Sequence, residues 1–170
     1  MSEIQTTVVQ LSKMLQNLDS WLTKAAEYAK QKNFDPNVLV DARLAPDMYP
    51  LSRQVQAACD GAKFLAARLS GKEPPKHPDT ERTLDELHAR IQSVREYLKS
   101  YSVRDFEGAE NRLVPLSFMP GKGLTGRDFL EQMNLPNTYF HLGMAYAILR
   151  HNGVPLSKTD YIGALDFKAV

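Results

Sequence analysis

LPNTYFHLGMAYAILRHNG, residues Leu135–Gly153, decides the fold. At 100° per residue it presents scarcely any polar face. Phe140, Met144, Ala147 and Ile148 make one apolar stripe, and Leu142, Ala145 and Leu149 make a second. A helix apolar nearly all round has to be covered on most sides. At ~1.5 Å per residue it spans roughly 25 Å, too short for a bilayer, and His141, Arg150 and His151 interrupt it. The spacing predicts the central helix of a bundle.

Upstream, Thr125 and Asp128 form a capping box for a short helix carrying Phe129, Leu130 and Met133. Pro136 then starts or kinks the central helix, and Gly153 with Pro155 closes it. Before that, Val114, Leu116 and Phe118 alternate and Pro120-Gly121 makes a turn, which predicts a short β-hairpin or extended flap. Gly121-Lys122-Gly123 is no phosphate loop, because the first glycine and the strand-to-helix setting are missing. Downstream, Tyr161, Ile162, Leu165 and Phe167 predict a tail folded back along the bundle.

Three more helices are needed as cover. Ile4, Val8, Leu11, Leu15, Leu18, Leu22, Ala26 and Ala29 step by three and four along one face. Trp21, Tyr28 and Met14, beside that stripe, widen it, either as cover for a neighbouring helix of the bundle or, for Trp21 and Tyr28 with the hairpin, as a dimer patch. Asp47 is placed to cap a second helix with Pro50 in its first turn, a core stripe of Leu51, Val55, Ala58, Ala62, Leu65 and Leu69, and an end at Gly71. After the Pro-rich connector Gly71–Pro78, Asp79 or Thr80 caps a third helix. Its seam is Leu84, Leu87, Ile91, Val94 and Leu98, and Arg82, Asp85, Glu86, Arg90, Arg95 and Glu96 read as its solvated face. The whole predicts an all-α antiparallel four-helix bundle, one domain over 1–170.

With 21 basic and 20 acidic residues the net charge is +1, so no long-range field draws nucleic acid or an anionic membrane. The first residues, MSEIQTTVVQL, lack a basic region followed by an apolar run, and the single cysteine, Cys59, excludes an internal disulfide. A cytoplasmic protein is expected, with Cys59 as a small apolar filler.

Function has to come from polar groups aimed inward, because a buried polar group left unpaired costs about 1–3 kcal/mol. Asp47 and Gln54 share a face of helix 2, and His141 sits between the two stripes of the central helix. With Tyr139 they make the candidate pocket: Asp47, Gln54, Tyr139 and His141. No metal or cofactor is expected there. The residue four after His141 is Ala145 and the one four before is Asn137, so the helix offers no second imidazole one turn away.

LAPDMYPLSRQVQAACDGAKFLAARLSG and LPNTYFHLGMAYAILRHNGVPLSKTDYIG closely resemble an uncharacterised bacterial domain-of-unknown-function family grouped with the DinB/YfiT-like four-helix bundles. The resemblance implies that fold, a homodimer, and a superfamily in which many members hold a divalent metal through three histidines and act as thiol-dependent transferases or hydrolases. Only His141 matches such a position here. The expected function is therefore a small-molecule-binding bundle without the three-histidine site. The alternative is a divergent metal-dependent hydrolase or transferase using His141, with Asp47 or Glu81 as further ligands.

Overall fold

The spacing that begins at Ile4 produces a helix of the expected length, α1 (Glu3–Lys32). The others are α2 (Leu51–Ser70), α3 (Leu84–Lys99), α4 (Gly126–Asp128), α5 (Leu135–His151) and α6 (Lys158–Ile162). The computed structural model describes residues 3–169. Met1, Ser2 and Val170, which bound the expected 1–170 domain and begin the segment read as leaderless, lie outside the described residues. The four long helices form an antiparallel ring in which α1 packs on α3, α3 on α2, α2 on α5, and α5 on α1. Strands β1 (Leu113–Pro115) and β2 (Gly123–Thr125) pair antiparallel in the expected flap, Leu113 opposite Thr125. Val114 and Leu116 point into the core, but Phe118 at the tip is exposed.

The predicted stripes of α2 and α3 are buried throughout, as are Leu142, Ala145, Ile148 and Leu149 of α5. Two caps differ from expectation. Asp47 is exposed in the loop, and α2 starts only after Pro50, which stands at the N-cap with no side-chain bond. Proline keeps the residue before it out of the α region, so the helix cannot begin upstream. Neither Asp79 nor Thr80 caps α3. Thr83 does, in a reciprocal pair with Glu86: Thr83 Oγ1 accepts from Glu86 N at 3.2 Å, and Glu86 Oε2 accepts from Thr83 N at 3.1 Å. Asp79 has a left-handed backbone (φ +56°), which an N-cap does not.

Four expectations of burial are corrected. Phe140 is 52% exposed, with Met144 and Ala147 half-buried beside it, so of the first α5 stripe only Ile148 is core. The ring of helices covers α5 on two sides, from α1 and α2, and leaves the third open. Trp21 cannot belong to a surface patch. It is fully buried, stacks on Tyr161 (ring centroids 5.3 Å apart), and donates Nε1–H to the Asp160 carbonyl at 2.9 Å. The tail does fold back as far as α6, while Leu165 and Phe167 beyond it are exposed. Arg90, read as surface, is buried between α2, α3 and the connector.

Residues Phe129–Asn134 form a π-helix that joins α4 to α5 without a break. Its cause is local. Pro136 has no N–H to give, and its ring crowds the carbonyl four residues back, at Gln132. Widening the preceding turn, so that Leu135 N–H bonds the Leu130 carbonyl, makes room for the ring.

Candidate functional site

His141, Thr138 and Asn134 lie three and four residues apart, so they share one face, and that face meets α2. All three are buried. His141 Nδ1 lies 2.8 Å from Gln54 Oε1. Because Gln54 Nε2 donates to the Tyr49 carbonyl at 3.3 Å, Oε1 is the acceptor and His141 carries its proton on Nδ1, leaving Nε2 with a lone pair. Two turns away, Asn134 Nδ2 donates to the Gly61 carbonyl at 2.9 Å. Asn134 Oδ1 and Thr138 Oγ1 are buried with no hydrogen-bond partner among the described residues.

Burial, and then Arg53, hold the His141 imidazole below its ordinary value of 6.5. His77 is lowered too, by burial and then by Arg90 and Lys63. The unfolded chain therefore takes up these protons first as pH falls. The stability these neutral imidazoles contribute is complete above pH 6.5, is lost as pH falls from 6.5 towards the depressed values, and stops changing below them. Urea midpoints measured from pH 7.5 to 5 should fall, and His141→Gln should flatten that slope. An unchanged slope in the variant would mean that His141 does not titrate this way.

Beside the seam lies a cleft of ≈ 240 Å³. Its α2 wall is Arg53, Ala57, Asp60, Gly61, Phe64 and Arg68, at helical spacing. The π-helix supplies Phe129, Met133 and Asn134, and α5 supplies Asn137, one turn before His141. Such π segments recur at functional sites, because the widened turn re-aims side chains. Here the widened turn brings Asn134 to the cleft wall with its unpartnered Oδ1.

Next to the cleft, and sharing Arg53 and Asp60 with it, lies a charge cluster centred on the buried Arg90. Arg90 Nη1 donates to Asp79 Oδ1 at 2.9 Å and Glu81 Oε1 at 3.0 Å, and Nη2 donates to Asp60 Oδ1 at 2.7 Å. Lys63 pairs with Asp60 at 2.7 Å, and Arg53 with Asp79 at 2.5 Å. Burial works against the Arg90 charge, but Asp60 and the bond to Asp79 outweigh it and raise its pKa. Burial pushes the neighbouring Cys59 thiol up to about 12, so it is a protonated filler.

Of the expected pocket, Gln54 and His141 meet, Tyr139 is half-buried on α5, and Asp47 is exposed. Sequence reasoning missed the cleft residues Arg68, Asn134 and Asn137. The available signal was Pro136, which perturbs the turn that carries Asn134. A three-histidine metal does not fit these residues. The position four after His141 is the buried Ala145, which has no donor atom to give, and Glu81 is already bound by Arg90 and Gln56. Among the described residues no three His, Cys, Asp or Glu side chains converge as metal ligands, and no helix is long and apolar enough to cross a membrane.

This arrangement is a DinB-like four-helix bundle whose central seam is polar but poor in metal ligands. The chain belongs to the family described as domain of unknown function (DUF1993), whose model matches residues 4–162. It is similar to a DinB family member protein from Shewanella denitrificans, seen in a crystal structure. The two share 48% sequence identity over 96% of this chain and 93% of that one, with a TM-score of 0.93. No curated protein matches the chain.

Proposed function

We propose that this protein is a small-molecule-binding bundle, with its ligand held along the α2–α5 seam. Of the expected pocket, the Gln54–His141 pair forms one end, and the cleft by the π-helix forms the other. The observation that carries this reading is Asn134. Asn134 lines the cleft and is 5% exposed, yet its buried Oδ1 has no partner among the described residues, and a buried acceptor left unpaired costs about 1–3 kcal/mol unless something donates to it. A ligand donor would supply that bond. The test is ligand-observed NMR with a mixed set of neutral, cationic and anionic fragments. Binders are expected in the wild type and should be lost in Ala57→Phe, which fills the cleft. An absence of binders, or binding that persists in Ala57→Phe, overturns the reading.

The chain, 1–170, would act as one domain, in the cytoplasm, where its lone thiol stays reduced. Its partner in this reading is a second copy, docked on the open face of α5. Phe140 is exposed there, and a Cβ added at Gly143 would meet nothing within 4 Å, so another helix can approach closely. Exposed apolar patches of this kind mark interaction surfaces, and a two-fold dimer covers both copies of the patch at once. Light scattering at micromolar concentration should give a dimer mass for the wild type and a monomer mass for Phe140→Glu. A monomeric wild type rules the dimer out.

A further inference from the structure

The charges around the cleft are not equally available. Asp60 already accepts from Arg90 and Lys63. Arg53 is held by Asp79 and lies within 3.3 Å of Gln56 Oε1. Arg68 differs. Its guanidinium has no hydrogen-bond or ion-pair partner among the described residues, and it lies over two rings, 5.4 Å from the centroid of Phe64 and 5.4 Å from that of Phe129. The two ring contacts restrict where the fork can sit, and its N–H donors have no acceptor among the described residues. A flat, pre-positioned fork of donors beside neutralised neighbours is matched by a carboxylate, which takes two parallel N–H···O bonds.

The remaining features narrow the ligand further. Asn134 Oδ1 requires a donor, and Ala57, Phe64, Phe129 and Met133 offer apolar wall. The volume, ≈ 240 Å³, lies below the roughly 300–1,000 Å³ typical of drug-sized ligands, so it suits a single ring. We propose that the cleft takes a small aromatic carboxylate that also bears an N–H or O–H donor, its carboxylate on Arg68, its ring against Phe64 and Phe129, and its donor on Asn134 Oδ1. This inference rests on the cleft reading above and adds the chemical class.

Calorimetric titration with 4-aminobenzoate and its neutral match, 4-aminobenzamide, tests it. The acid is expected to bind the wild type at least tenfold tighter than the amide. Arg68→Met, which keeps an apolar stem between the two rings, should weaken the acid at least tenfold and leave the amide unchanged. If that variant fails to fold, Arg68→Gln takes its place, and the acid-against-amide comparison in the wild type stands regardless. Equal binding of acid and amide, both lost in Ala57→Phe, would overturn the carboxylate inference and leave the cleft reading intact. Acid binding that survives Ala57→Phe would put the site elsewhere and overturn both. No binding of either compound at millimolar concentration would overturn this inference alone, because the broader fragment set decides the cleft reading.

Discussion

Arg90→Met should destabilise the fold by about 3–5 kcal/mol, the range for breaking a buried ion pair by removing one partner. The side chain is 1% exposed and is the common donor to Asp60, Asp79 and Glu81, which come from α2 and from the connector before α3. Without it those carboxylates, 12–31% exposed, lose their shared donor, with Lys63 and Arg53 as partial compensation. For a chain of this length each kcal/mol moves Tm by roughly 2–4 °C, so the shift should be plain in a thermal melt. The cost belongs to the stranded acids more than to the lost guanidinium. Arg90→Met combined with Glu81→Gln should therefore recover much of it, because Asp60 keeps Lys63 and Asp79 keeps Arg53 as charge partners, and Glu81 is the acid left without one. Urea denaturation at pH 7 measures all of these. A loss below about 1 kcal/mol for Arg90→Met would mean that the cluster is solvated enough to behave as a surface network.

Arg90 also shows where sequence reading runs out. Every apolar position assigned to the seams of α2 and α3 is buried, because three-and-four spacing dictates which side chains face inward. The same spacing puts Arg90 next to that seam, and hydropathy alone reads an arginine there as solvated. Its partners Asp79 and Glu81 sit in an irregular connector whose path no periodicity specifies, so the burial of the charge could not be read. The reverse holds at Phe140. Its apolar side chain predicts burial, but a ring of four helices has only two neighbours to lay against α5, and one face stays open. The pair Gln54 and His141 was legible from helix phase. The cleft beside it was not, because it depends on a π turn whose only sequence mark is Pro136.

The approach of α2 to α5 sets where Asn134 and His141 sit, and Gly61 sets that approach. A Cβ built on Gly61 would fall 2.1 Å from Thr138 Oγ1, 3.1 Å from its Cβ and 3.2 Å from its Cγ2. Two opposing effects follow for Gly61→Ala. Alanine is the better helix former by roughly 0.8–1 kcal/mol. Forcing a methyl into a packed contact typically costs about 1–3 kcal/mol. The overlap here is deep and falls on a buried, β-branched side chain with few rotamers to escape into, so the clash should win and the variant should lose about 1–2 kcal/mol net. Thr138→Ala alone removes a hydroxyl that has no partner, and should cost less than Gly61→Ala. In the double variant both the Oγ1 and the Cγ2 that block the new methyl are gone, so it should be more stable than the sum of the two single losses by about 1 kcal/mol or more. Additive losses in that cycle would show that the helices slide apart instead of repacking. In that case Asn134 Nδ2 would lose the Gly61 carbonyl, and fragment binding in the cleft should fall along with stability.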